Sequence, residues 1–208
     1  MDFIHRIPNL LSEDFCKDII EKFEKSSLKK KGASYKIING KVIQVLEDTI
    51  IDETFESNKK STDISIYPNF LLNDDVKKEN WDDLLEKLHN CLFLGLQSYT
   101  DEHDIINVLE ATELEGYNIQ KYLPGEGFFN WHCENSGYDF GGRRCFAWMI
   151  YLNDVEDGGT EFKVQNHVEK AETGKFVIWP AYWTHVHKGQ ISYTKTKYII
   201  TGWFKHID

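Results

Sequence analysis

The sequence predicts an α+β fold, in which the second half of the chain forms a β-sandwich or jelly roll and helices pack outside it. Before about residue 110, apolar residues recur at helical spacing in two segments. After Gly116, short runs rich in β-branched and aromatic residues alternate with Gly, Asn and Asp, which is typical of such all-β cores. No repeat or proline-rich linker divides the 208 residues. We therefore expect a single domain, 1–208, with a helical and hairpin part over about 1–110 and a jelly-roll core over about 111–208.

The first half shows clear start and turn signals. Ser12 is a suitable helix N-cap, and the apolar residues behind it share one helical face. Asn39-Gly40 is a dipeptide suited to a type I′ turn, so the runs on either side of it predict a hairpin. A second apolar stripe, which begins at Trp81, predicts a longer helix after Asn73. The predicted elements are helices over about 12–26 and 73–99, and strands over 34–38, 41–46 and 63–67.

The second half is predicted to contain six strands bounded by turn residues. They are expected near 117–122, 128–133, 145–152, 160–164, 175–178 and 197–205. Since the helices are confined to the first half, they are expected to cover one face of this β core.

Composition excludes several classes of function. The net charge of −10 argues against non-specific binding to nucleic acid or to an anionic membrane, because such binding needs an excess of Lys and Arg. The four cysteines contain no CxxC pair and do not resemble a disulfide framework. No apolar stretch reaches the ~18 residues of a membrane span, and the N-terminus lacks a signal-peptide core. These features favour a reduced, cytoplasmic protein.

Three residues form a candidate metal site: His132, Glu134 and His185. His132 and Glu134 are two residues apart, which on a strand places both side chains on one face. A close His–carboxylate pair with a remote His matches a two-His, one-carboxylate site that leaves three positions open, as non-haem Fe(II) requires. The residues alone leave two other interpretations open. The pair is also compatible with an exposed polar strand face, and the remote His with an ordinary histidine.

The surrounding motifs resemble the prolyl 4-hydroxylase-like branch of the Fe(II)/2-oxoglutarate oxygenases. In NIQKYLPGEGFFNWHCE, Tyr122 lies ten residues before His132, as a strand tyrosine does in that family. RCFAWMIYLN resembles the family's central strand, GGTEF its glycine turn, and GKFVIWP the segment that leads to the last metal ligand, here His185. Lys197 precedes Trp203 by six residues, as a basic residue does in the family. The resemblance is strong over the last ninety or so residues and loose elsewhere.

The resemblance implies a double-stranded β-helix and a set of residue roles. His132, Glu134 and His185 would bind Fe(II) as the catalytic centre. Lys197 would meet the distal carboxylate of the co-substrate 2-oxoglutarate, and Tyr122 would donate a hydrogen bond to the same molecule. The family usually has Asp where this chain has Glu134, and the longer side chain raises the question of weaker iron binding or altered chemistry.

Two further residues have open roles. His187 lies two residues after His185, and is expected near the metal or the substrate, or at the surface. Arg144 matches a family arginine, and its role is either a substrate contact or a structural ion pair.

The implied function is hydroxylation of an unactivated C–H bond, with a peptidyl residue such as proline as the leading substrate. A hydroxylase of a free amino acid or small metabolite is one alternative, and a non-catalytic metal-binding jelly roll is another. A peptide requires an open channel over the metal, whereas a metabolite requires a closed pocket with a charged anchor. The expected partners are therefore a peptide or a small molecule, with neither nucleic acid nor a membrane.

Overall fold

The computed structural model describes residues 2–38, 41–46, 58–67, 77–105, 112–135, 137 and 141–207. Within these residues the helices are α1 (Glu13–Lys25) and α2 (Asp82–His103). The strands are β1 (His5–Ile7), β2 (Lys30–Lys31), β3 (Ala33–Ile38), β4 (Lys41–Leu46), β5 (Lys59–Lys60), β6 (Thr62–Ile66), β7 (Thr112–Leu114), β8 (Tyr117–Tyr122), β9 (Gly127–Phe128), β10 (Arg144–Tyr151), β11 (Val155–Phe162), β12 (His167–Ala171), β13 (Phe176–Pro180), β14 (His187–Gly189) and β15 (Lys197–His206). A single 3₁₀ turn, Trp183–His185, separates β13 from β14.

The two helices form where apolar side chains repeat at helical spacing. Ser12 caps α1, because its hydroxyl accepts a hydrogen bond from the Phe15 N–H at 3.2 Å. The buried face of α1 packs on the sheet, and so does one face of the longer α2. We expected the second helix to begin after Asn73. Residues 74–76 lie outside the described residues, 77–78 are helical, and α2 begins at Asp82 directly after the buried Trp81. None of the helices in the described ranges combines the length and apolar character needed to cross a membrane.

Two antiparallel sheets build the β core. The larger sheet has eight strands in the order β1-β13-β10-β15-β8-β6-β2, with β7 also paired to β15. The smaller sheet has the order β12-β11-β14. Strands β3 and β4 form the predicted hairpin, whereas its Asn39-Gly40 turn lies outside the described residues. Strands that are neighbours in the larger sheet, such as β10, β15 and β8, are not consecutive in the chain, so crossovers join them, which is the order of a jelly roll rather than a meander.

The larger sheet separates two apolar clusters because its side chains alternate between its faces. In β10, Trp148 and Ile150 face the helices, whereas Ala147 and Tyr151 face the smaller sheet. The cluster between the sheets also receives Phe162 from β11. The fold is therefore the predicted α+β jelly roll with helices on one face, and the space between the sheets is where polar side chains can form a site.

Several strands differ from the prediction in length. The sequence predicts a strand over 128–133. In the structure, strand pairing ends at Phe128 and resumes only as an isolated bridge at His132. Strand β11 begins at Val155, five residues before the expected start, and its register shifts before Thr160. The Gly158-Gly159 pair lies in this shifted part. A Cβ on Gly159 would come within 3.3 Å of the Glu169 carbonyl carbon, so only glycine permits this approach of β11 to β12.

Trp148 is expected to be among the main contributors to the stability of the core. It is fully buried, and its ring lies 5.5 Å from Tyr117 and 6.4 Å from Phe204, measured between centroids. We expect Trp148→Ala to reduce the free energy of unfolding by about 3–5 kcal/mol, because it leaves a cavity in a close-packed cluster. The control is Val164→Ala at an exposed position, which should change the free energy of unfolding by less than about 0.5 kcal/mol. Urea denaturation measures both variants. Equal effects of the two substitutions would contradict this assignment of the core.

Candidate metal centre

Three ligand-type side chains converge at one end of the space between the sheets. His132, Glu134 and His187 each offer a donor atom, and these atoms lie within 4.8 Å of one another. Glu134 Oε1 is 3.3 Å from His132 Nε2 and 3.5 Å from His187 Nε2. Two imidazole nitrogens and one carboxylate oxygen therefore face a common point. Within the part of the chain that the structure describes, no other group of three such residues meets the same criterion.

Both histidines of this cluster are held in the tautomer that suits a metal ligand. Nδ1 of His132 lies 2.9 Å from the Asn130 carbonyl oxygen, and Nδ1 of His187 lies 2.8 Å from the His185 carbonyl oxygen. Because a carbonyl oxygen only accepts hydrogen bonds, each Nδ1 carries a proton, and in the neutral form of each ring Nε2 has the free lone pair. Such a backbone acceptor behind the ring is typical of metal-binding histidines. The donor set thus fits a divalent transition metal.

Backbone pairing sets the distance between the three side chains. His132 and His187 form an isolated antiparallel bridge, in which each residue's N–H donates to the other's carbonyl oxygen, at 3.0 and 2.9 Å. Glu134 is anchored separately, since its N–H donates to the Ala181 carbonyl oxygen at 3.0 Å. The chain around residues 132–134 is therefore held against the segment that follows β13. The side chains of His132 and Glu134 therefore lie close together although the segment that carries them is not a regular strand.

The predicted ligand His185 does not lie in this cluster, and His187 lies there instead. Nε2 of His185 lies 2.8 Å from the Asp2 carbonyl oxygen and Nδ1 lies 2.9 Å from the Thr184 hydroxyl, so both ring nitrogens are engaged away from Glu134. The 3₁₀ turn that ends at His185 directs this ring toward the N-terminal segment. His187 begins β14 and lies opposite His132. The two-residue spacing places side chains on one face only within a strand, and here it spans a turn.

The carboxylate of Glu134 and the ring of His132 stabilise each other's charged forms, whereas His187 favours its neutral form. Burial would raise the pKa of Glu134, but hydrogen bonds and charges from His132 and His187 hold that pKa well below its ordinary value. Burial lowers the pKa of His187, and the neighbouring His132 lowers it further. Burial lowers the pKa of His132, but the hydrogen bond and the charge of Glu134 raise it by more, so the pKa of His132 is raised overall. An ionised carboxylate beside a neutral His187 is the protonation state that binds a cation.

Arg144 lies behind Glu134 and bridges two carboxylates. Its guanidinium makes hydrogen bonds of 2.9 and 2.7 Å to the two carboxylate oxygens of Glu115. A third nitrogen, Nη1, lies 3.6 Å from Glu134 Oε2. The guanidinium carbon is also 3.5 Å from the centre of the Trp203 ring, which is a close stacking contact. The Arg144 side chain is therefore held on three sides.

A buried cation lies deeper between the sheets. Lys197 and Tyr122 are direct partners across β15 and β8, and Nζ of Lys197 is 5.3 Å from the centre of the Tyr122 ring. Nζ donates a hydrogen bond of 2.7 Å to the Gln190 carbonyl oxygen. No carboxylate of the described residues lies within 4.0 Å of it. Burial lowers the pKa of Lys197 to about 8, with partial compensation from the charge of Asp157.

Tyr122 joins a polar network that the sequence did not predict. Its hydroxyl donates to Gln120 Oε1 at 2.6 Å, and Gln120 Nε2 lies 3.4 Å from a carboxylate oxygen of Asp63. Asp63 also forms a buried ion pair with Lys59. Burial, with the negative charges of Asp63 and Glu134, keeps the pKa of Tyr122 well above its ordinary value, so the hydroxyl keeps its proton. Only the alternation of Tyr122 and Gln120 on β8 could have indicated this network from sequence.

Exposed aromatic side chains lie next to the cluster residues, or to their backbone anchors, in the chain. Trp131 precedes the cluster residue His132, is 39% exposed and lies with its ring 4.7 Å from Lys188 Nζ. Trp183, 75% exposed, and Tyr182 follow the Ala181 carbonyl that anchors Glu134. Large apolar side chains that remain in solvent beside a polar site are typical of a surface that binds another molecule.

Comparison with known families gives one match by sequence. Residues 117–205 match the model of the 2OG-Fe(II) oxygenase superfamily. This range includes His132, Glu134, His187 and Lys197, and it begins at β8 and ends within β15. No curated protein matches the chain.

Solved structures share the fold over nearly the whole chain. A prolyl hydroxylase from Trichoplax adhaerens, in complex with a hypoxia inducible factor oxygen degradation domain peptide fragment, has a TM-score of 0.65 and 16% identity, covering 99% of this chain and 84% of that one. The viral collagen prolyl hydroxylase of Paramecium Bursaria Chlorella virus-1, as its 2OG complex, has a TM-score of 0.62 and 14% identity, with coverages of 99% and 97%. A Pseudomonas putida prolyl-4-hydroxylase has a TM-score of 0.53 and 14% identity, with coverages of 99% and 94%. At these identities the likeness concerns the fold.

Proposed function

Because residues 117–205 belong to the 2OG-Fe(II) oxygenase superfamily, we propose that this chain is an Fe(II)- and 2-oxoglutarate-dependent dioxygenase that hydroxylates a peptidyl residue, with proline as the leading candidate. One observation carries the proposal. Two histidines with backbone-anchored Nδ1 atoms present Nε2 to a single oxygen of Glu134. A facial set of this kind leaves three coordination positions for a chelating keto acid and O2.

The metal ligands in this proposal are His132, Glu134 and His187. The longer Glu134, in the position where the family usually has Asp, still reaches both histidines with Oε1. His187 is buried against the rings of Phe162 and Trp179, whose centroids lie 5.7 and 4.9 Å from its own. These rings keep water from that side of the centre and hold the imidazole in place.

Lys197 and Tyr122 are proposed to bind 2-oxoglutarate. Among the described contacts, the buried ammonium of Lys197 has one polar partner, a carbonyl oxygen, and no counter-ion. Burial of a charge without a counter-ion is unfavourable. The distal carboxylate of 2-oxoglutarate would supply that counter-ion. Tyr122 lies beside Lys197 and keeps its proton, so its hydroxyl is available to donate to the same carboxylate if it turns from Gln120. The small Gly189, whose Cβ would lie 3.6 Å from Lys197 Nζ, leaves room there.

When bound, Fe(II), 2-oxoglutarate and O2 supply the oxidising chemistry, in which the keto acid loses CO2 to give succinate and a C–H bond gains a hydroxyl. The chain's own residues bind and orient these components. His132, Glu134 and His187 hold the metal, and Lys197 sets the direction of the keto acid. The half-buried His132 side of the centre, next to the exposed Trp131, is the side from which a substrate would approach.

Exposed aromatic side chains close to the cluster in the chain favour a peptide over a small metabolite. Phe129 and Trp131 precede His132, Tyr182 and Trp183 follow the carbonyl that anchors Glu134, and all four rings remain partly in solvent. A peptide is long enough to contact such side chains on both sides of its target residue, whereas a free amino acid is not. We expect a cytoplasmic location, in keeping with four free cysteines and the absence of a membrane-spanning helix in the described ranges.

The first test is an anaerobic titration of the metal-free protein with Fe(II) and 2-oxoglutarate. We expect a visible charge-transfer band that saturates only when both are present, and that is lost in His132→Ala and Glu134→Ala. The reconstituted protein should then add one oxygen atom to prolyl peptides, measured by mass spectrometry, with little reaction on free proline. Turnover of free amino acids instead would identify a metabolite hydroxylase. Absence of the band at saturating metal would leave only a non-catalytic jelly roll.

A further inference from the structure

Glu134 poses a positional problem that an aspartate would not. Its side chain has one more rotatable bond, so its carboxylate has more orientations available to it. A carboxylate that turns freely can also present both oxygens to a cation and take up one of the positions that a co-substrate needs. Yet Oε1 faces both histidines, at 3.3 and 3.5 Å, and Oε2 faces Arg144.

We propose that Arg144 is a positioning residue that directs Glu134, so that Oε1 alone faces the metal site. This inference rests on the proposed function, and it assigns Arg144 a role in the geometry of the centre. Nη1 of Arg144 lies 3.6 Å from Oε2, which is ion-pair distance. The pair is largely shielded from solvent, with 10% of the Arg144 and 16% of the Glu134 side chain exposed, so water screens it little.

Arg144 can act in this way because it is itself immobilised. The fork-like pair with Glu115 restrains two of its nitrogens, and the Trp203 ring covers its guanidinium plane. Arg144 begins β10 and Trp203 lies on the neighbouring β15, so both belong to the rigid large sheet. Glu134 lies in an irregular segment held mainly by backbone bonds. The guanidinium held on the large sheet can therefore orient the Glu134 carboxylate.

The test is a double-mutant cycle between positions 144 and 134, read as metal affinity. Anaerobic Fe(II) titration, with Co(II) as a redox-stable probe, gives the dissociation constant of each variant. We expect Arg144→Met to weaken metal binding about 10–100-fold in the Glu134 background, as loss of a group that orients a ligand does. With Asp at position 134, the shorter carboxylate no longer depends on Arg144. In that background Arg144→Met should raise the dissociation constant for the metal by less than about one tenth of the factor expected with Glu134.

Stability provides the control. Arg144→Met also breaks the pair with Glu115, and thermal unfolding of the metal-free proteins should show the same loss in both backgrounds. If Arg144→Met does not fold, Arg144→Lys keeps the charge but not the fork, and Glu115→Gln loosens the anchor while leaving Arg144 in place. Each should weaken metal binding more with Glu134 than with Asp at that position. Equal losses in the two backgrounds would overturn the inference and make Arg144 purely structural.

The two proposals fail differently. If the parent protein does not bind Fe(II), or if His132→Ala binds Fe(II) as well as the parent, the proposed metal centre is wrong. If the parent binds Fe(II) through His132 but the cycle shows no coupling, only the role of Arg144 is wrong.

Discussion

Replacing His187 with alanine is expected to abolish the charge-transfer band and to reduce turnover by more than about 100-fold, because a direct ligand contributes more than the ~10–100-fold typical of groups that orient ligands. His185→Gln, the matched control, should bind Fe(II) like the parent protein. The glutamine amide can still donate to the Asp2 carbonyl oxygen that His185 contacts at 2.8 Å. Anaerobic absorbance and metal analysis after desalting measure both variants.

This pair of variants discriminates between the ligand set predicted from the sequence, with His185, and the set that lies together in the structure, with His187. His187 Nε2 faces Glu134, whereas both ring nitrogens of His185 are engaged elsewhere. Loss of metal in His185→Gln with retention in His187→Ala would restore the original assignment. It would require the 3₁₀ turn to rearrange when metal binds.

Lys197→Met is expected to raise the dissociation constant for 2-oxoglutarate by about 30-fold or more, since removing one partner of a buried charge pair costs about 2–5 kcal/mol. Iron binding should be unchanged, because Lys197 contacts none of the three ligand residues in the described contacts. The matched control is Lys195→Met, two residues earlier on the same segment but exposed. Calorimetric titration of 2-oxoglutarate under anaerobic, metal-saturated conditions measures all three proteins.

The same lysine predicts a pH dependence of co-substrate binding. Burial lowers the pKa of Lys197 to about 8 in the absence of a ligand, so the ammonium is present below that pH and is lost above it. Affinity for 2-oxoglutarate should therefore be constant below pH ~8 and fall by about tenfold per pH unit above it, because binding then requires uptake of one proton. Binding of 2-oxopentanoate, which lacks the distal carboxylate, should not show this decline.

Linkage gives an opposite sign for the stability of the ligand-free protein. The folded pKa of Lys197 is below that of the unfolded chain, so its contribution is destabilising, in full at pH values below about 8 and diminishing as the pH rises toward 10.5. Lys197→Met removes this contribution, and the ligand-free variant should be at least as stable as the parent at pH 7. A marked loss of stability would mean that Lys197 supports the fold rather than the co-substrate.

Much of the fold follows from local patterns in the sequence. The Ser12 cap and the apolar stripe behind it gave α1 to within a residue at each end, and β8 was predicted at its observed bounds. The short strands β1, β2, β5, β7 and β14 were missed, because two or three residues carry no measurable period and pair only when a neighbouring strand is present. The five-residue β12 was also missed. The run through His132 was predicted as a strand, but it pairs with β5 only as far as Phe128 and then forms a single bridge between His132 and His187.

The sequence by itself determined the two-layer β core with its helical cover and the two-residue separation of His132 and Glu134. The register that places Lys197 opposite Tyr122 is a finding of the structure. Only the tertiary structure decided that His187 joins the cluster in place of His185 and that Arg144 reaches Glu134. Alternation along a strand is a local property that can be read from spacing. The direction of a side chain after a turn, and the contacts between distant segments, depend on how those segments pack.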